Sequence, residues 1–179
     1  MTDLEQRYLE LFSAWLSSLA SDLTLWSALL ANSELGSEER RVVAGALNCF
    51  LEYTDLIPDG LEDLGYLDSA IVLRAAATTL VEARALDASG TLERMAEEAT
   101  QLHEFLGADY ERLEKLVAGL TEGSVRGRSA NEIATDEALQ RAVANEITAW
   151  VSGYQAPPFR RDEKTLLKLK AFLTTKLPD

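Results

Sequence analysis

The chain has 179 residues, 47% apolar and 26% charged, enough to bury one core without disulfides or a structural metal, so a single domain over 1–179 is expected. Its net charge of -13 repels phosphate backbones, which excludes nucleic acid as a default partner. The single cysteine, Cys49, forms no intrachain disulfide, and Met1-Thr2-Asp3-Leu4-Glu5 has no basic region leading into an apolar block; both fit a soluble cytoplasmic protein.

Ten Gly and four Pro punctuate a sequence rich in Leu, Ala, Glu and Arg, which points to an all-α bundle of six or seven helices. Leu4, Tyr8, Leu11, Trp15, Leu19, Leu23, Trp26 and Leu30 follow at spacings of three or four, the stripe of an amphipathic helix, with Ser21-Asp22 a point where it is expected to divide. Gly36 then stops a helix, and Ser37-Glu38-Glu39 supplies an N-cap and two acids for the first turn of the next, which should run to about Glu52. The most apolar stretch, Val42 to Ile57, holds Asn48, Glu52 and Asp55, so it is not expected to span a bilayer. Pro58 and Gly60 then interrupt helix in an apolar neighbourhood and set an ordered turn between the second and third main helices.

Ile71, Val72, Ala75, Ala76, Thr79, Leu80 and Ala83 form a face of small and branched residues suited to a central helix. Thr91 is expected to cap a long helix whose apolar positions keep phase from Leu92 to Leu120, with a kink at Gly107. Gly119, Gly123 and Gly127 mark a mobile surface loop, and Ser129 with Glu132 has the spacing of a capping box. One helix should follow as far as Pro157-Pro158, and a last one from about Asp162 to Lys176.

Residues 53–73 read YTDLIPDGLEDLGYLDSAIVL. Asp55, Leu56, Ile57, Pro58, Asp59, Gly65, Tyr66, Leu67 and Asp68 fall in register on a motif of the form P-x-D-L-I-P-D-x-I-P-x-x-G-Y-L-D-D, and the segment resembles the DUF1232, or YkvA-like, family of small bacterial helical proteins. Tyr53 and Glu62 stand where that motif has prolines, and Ser69 replaces the second acid of its Asp-Asp pair. The resemblance implies a helical hairpin around an ordered turn. It implies no activity, because the family has none settled; some members are membrane-associated.

Read from the residues alone, Asp55, Asp59, Glu62, Asp63 and Asp68 are hard oxygen donors. Asp55, Asp59 and Asp68 are the candidate ligands for a divalent cation such as Mg²⁺ or Mn²⁺, with Ca²⁺ also suited to them. An EF-hand starting at Asp55 is excluded, because Ile57 and Tyr66 occupy positions that need oxygen ligands. Against a metal site stands a structural use: Asp59 with Glu62 as a capping pair, Asp68 or Ser69 as the next N-cap, and Ile57 and Leu67 packing inward. A third use is a recognition turn presenting Asp55, Asp59, Tyr66 and Asp68.

His103 is the only histidine, so no His-rich zinc site can be assembled. Cys49 lies in an apolar helix with no basic neighbour and is expected to be buried and inert. Arg126 and Arg128 sit in a glycine-containing loop that lacks the Lys-Ser/Thr and strand-to-helix context of a P-loop. From Arg160 to Lys176 there are six basic and two acidic residues. Leu166, Leu167, Leu169, Phe172 and Leu173 give that helix an apolar side, with Lys164 and Lys168 among its basic residues. It suits docking on the chain's own acidic bundle, on an acidic partner or on an anionic membrane. The leading expectation is a non-enzymatic interaction or scaffold protein with no cofactor and with a protein partner or self-association. A metal-dependent hydrolase or metal-binding module at residues 55–68 and peripheral membrane association through the last helix are the alternatives.

Overall fold

A computed structural model describes residues 1–52, 56–57, 64–85, 87 and 89–179. Among them are eight α-helices: α1 (Asp3–Leu30), α2 (Ser37–Glu52), α3 (Leu67–Glu82), α4 (Thr91–Leu106), α5 (Tyr110–Gly119), α6 (Ala130–Thr135), α7 (Glu137–Gly153) and α8 (Glu163–Lys176). All but α6 have ten residues or more, so the expected bundle of six or seven main helices is present. No helix among the described residues is long and apolar enough to cross a membrane. A short antiparallel hairpin of β1 (Ser124–Val125) and β2 (Arg128–Ser129) lies between α5 and α6.

Helix α3 is the axis: α1, α2, α4 and α5 all pack against it. The residues explain why. Its Ala70, Ile71, Ala76, Ala77 and Leu80 are fully enclosed, and small side chains allow helices to approach closely. Around it, α1 contributes Leu9, Phe12, Leu19, Leu23 and Trp26, α4 contributes Leu92, Met95 and Leu102, and α5 contributes Leu113, all without exposed surface. Helix α8 closes the bundle by burying Leu166, Leu169 and Leu173, with Phe172 packed beside them. The apolar side expected for the last helix therefore docks on its own domain, except for Leu167, which is exposed.

The helix ends follow capping chemistry, with corrections. Thr2 and Glu5 make a reciprocal capping box on α1, and Ser129 and Glu132 make the expected one on α6. Asp162 caps α8 by accepting from the Thr165 amide. The expected division of α1 at Ser21-Asp22 does not occur, because Asp22 is turned into the core and paired there. The expected cap at Thr91 belongs instead to Asp87, whose carboxylate accepts from the Thr91 and Leu92 amides at 3.2 and 2.9 Å. Gly107 is a break, not a kink: at φ +59° it ends α4, and a 3-10 turn leads into α5. The single helix expected before Pro157-Pro158 is two, since Asp136 ends α6 and caps α7.

The glycine loop before α6 is an ordered hairpin, where a mobile loop was expected. Arg126 and Gly127 both have positive φ, the two-residue turn that matches strand twist. Buried Val125 holds it inward, and the Asn48 side chain donates to the Arg128 carbonyl at 3.1 Å. Gly45 on α2 is required by the same neighbourhood: a β-carbon there would lie 2.5 Å from the Leu120 carbonyl oxygen.

Candidate binding cleft

Helix α3 begins at Leu67, after Tyr66 in a left-handed conformation at φ +66°. Tyr66 makes no side-chain cap, so neither Asp68 nor Ser69 is the N-cap expected from the sequence. Asp68 lies inside the first turn, where its charge suits the helix dipole. One of its carboxylate oxygens accepts from the Ser69 amide at 2.8 Å and the other from the Ile57 amide at 3.2 Å. It thereby ties Ile57 to the start of α3. Ile57 and Leu67 are both fully buried, as expected.

Beside this junction, α2, α3, α5 and the C-terminal tail enclose a cleft of about 520 Å³. Val72 and Leu73 come from α3, Ala46, Cys49 and Phe50 from α2, Leu116 from α5, and Pro178 from the tail. Among the described residues its polar groups are those of Glu52, Asp68, Ser69, Cys49 and Lys176. The tail is held by Arg112, which donates to the carbonyls of Thr174, Leu177 and Pro178 and pairs with Asp109. The Asp109 carboxyl sits below the usual carboxylate range because the Thr174 hydroxyl and Arg112 donate to it. Cys49, expected in the core, is half-buried on the cleft wall. His103 is elsewhere, on α4, with its ring edge-on to Tyr110 at 4.7 Å, so the cleft does not join the two into a dyad.

The far flank of α3 is packed shut around charge that sequence spacing did not reveal. Arg74 is fully buried. It pairs with Asp22 at 3.2 Å and Glu98 at 2.7 Å, donates to the Ala70 carbonyl and lies 4.4 Å over the Trp15 ring. Arg94 closes the group by pairing with the same two acids. Burial lowers the Arg74 pKa and the two carboxylates oppose that shift, as expected for a charge kept in the interior only by its partners.

Of the residues singled out from the sequence, Asp68 lines the cleft and Tyr66 stands beside it in the chain, facing a separate hollow with Trp150 and Tyr154. Asp55 and Asp59, with Glu62, Asp63 and the Pro58-Gly60 turn, lie outside the described residues. No group of three or more His, Cys, Asp or Glu able to hold a metal occurs among the described residues. Lys164 is exposed and Lys168 half-buried on α8, away from the cleft lining. Arg126 and Arg128 both pair with Glu146. No family model, curated protein or solved structure matches this chain.

Proposed function

We propose that this chain is a non-enzymatic helical interaction protein that receives an apolar anchor of a protein partner in the cleft between α2, α3, α5 and the C-terminal tail. The cleft itself carries the reading. Its walls are mainly aliphatic and aromatic, while Glu52 and Lys176 are exposed at its border, an apolar centre with a charged rim of the kind that accepts a partner's anchor side chain. The motif's aspartate supports the same reading, since both Asp68 oxygens hold backbone amides in place. A volume of about 520 Å³ lies in the range of preformed ligand sites.

An amphiphilic fluorescent dye, 8-anilinonaphthalene-1-sulfonate, whose apolar rings stand in for the anchor, serves as the probe. Wild type is expected to bind one equivalent with enhanced emission. Ser69→Trp, which places a large ring in the cleft from a half-buried position, is expected to abolish that binding while leaving the circular dichroism unchanged. Absence of dye binding by the folded wild type, or equal binding by the variant, contradicts the reading.

A further inference from the structure

Phe50, which lines the cleft, also meets a group of aromatic rings gathered from distant parts of the chain. Tyr66 meets Trp150 at 5.1 Å between centroids and 76°, and meets Tyr154 at 5.9 Å and 81°. Trp150 and Tyr154 stack at 4.5 Å, and Phe50 lies edge-on to Trp150 at 4.8 Å. The three rings Tyr66, Trp150 and Tyr154 border an open hollow of about 430 Å³, which Gly153 and Gln155 also line. A β-carbon on Gly153 would meet nothing within 4 Å, so the floor beside the rings is clear.

We propose that this aromatic corner binds a small quaternary ammonium cation. Ring faces carry negative potential and attract weakly hydrated cations. Among the described residues the lining holds no charged side chain to repel one, and the net charge of -13 favours cations over anions across the surface. The corner is also preorganised. The Tyr154 hydroxyl donates to the Leu16 carbonyl at 2.7 Å, and the Tyr66 ring packs against both Trp150 and Tyr154. Rings held in place before binding lose little entropy on capture.

Tryptophan emission reads the site directly, because Trp15 and Trp26 are 1% and 0% exposed while Trp150 is half-buried at the hollow. Choline is titrated at constant ionic strength beside 3,3-dimethylbutan-1-ol, its uncharged isostere. The expected result is saturable quenching by choline, about fivefold or more tighter than by the alcohol, and lost in Gly153→Leu, which fills the hollow from an exposed position. Equal response to the two compounds, no response to choline, or choline binding unchanged in Gly153→Leu overturns the proposal. A response to a polyproline peptide without one to choline also overturns it, in favour of a peptide-docking groove.

Discussion

The two flanks of α3 spend their polar groups in opposite ways. Toward α1 and α4 the helix carries Arg74, a full charge with no exposed surface, and closes Asp22, Glu98 and Arg94 around it. Toward α2 and α5 it carries Asp68, which binds two backbone amides, and the space beside it stays open. Charge in the interior demands complete partnering and so leaves no room. The Asp68 carboxylate accepts from backbone amides at the start of the helix and still borders the cleft. One helix thus anchors the fold along one side and offers a cleft along the other.

The largest expected effect breaks the packed flank. Asp22→Ala leaves Arg74 buried with one carboxylate fewer, and should cost about 3–5 kcal/mol by urea denaturation. The double variant Asp22→Leu/Arg74→Met should cost less than the sum of its single changes. A loss below about 1 kcal/mol for Asp22→Ala, well under the range for breaking a buried pair, would show that the quartet is not the anchor. Paired truncations then compare the flanks. Leu80→Ala, at a fully enclosed site, should cost about 2–5 kcal/mol. Val72→Ala on the cleft wall should cost about 1 kcal/mol, since the space it widens is already open. Equal losses would erase the distinction.

Removing residues 160–179 tests the closure of the bundle by α8. Because Leu166, Leu169 and Leu173 are buried, the truncated chain should melt at least several degrees lower. An unchanged melting temperature would mean that the helix does not dock.

The smallest effect concerns acid. Burial raises the Asp87 pKa, but hydrogen bonds from the Ser89 hydroxyl and the amides of Leu92 and Thr91 outweigh it and hold the carboxyl below its ordinary value. A lowered folded-state pKa stabilises the native form above the unfolded value of about 4, and that contribution disappears as pH falls through the folded value. Unfolding free energy should therefore decline below about pH 4, and less steeply in Asp87→Asn. Identical slopes for the variant and wild type would remove Asp87 from the account.

Most of the architecture was legible because its signals are local. The three-and-four spacing of apolar residues marks α1, the small-residue face marks α3, and the Ser129-Glu132 spacing marks the start of α6. Errors arose where a distant residue decides the outcome. Ser21-Asp22 reads as a break until Arg74, 52 residues on, makes Asp22 part of the core. Thr91 reads as a cap because Asp87 reaches its amide from outside the helix. The cleft was not legible either, since Cys49, Val72, Leu116 and Pro178 share no pattern in sequence. Asp68 was found through its motif, but its partner Ile57 lies 11 residues away in sequence, which spacing alone did not show.

Cys49 reports on the open flank most directly, because it is the single cysteine and lines the cleft wall. Its alkylation by iodoacetamide under native conditions, followed by mass spectrometry, should proceed without global unfolding and should slow several-fold in Ser69→Trp. Modification only at the rate of global unfolding, or at an unchanged rate in Ser69→Trp, would contradict the claim that this side of α3 is open to a partner.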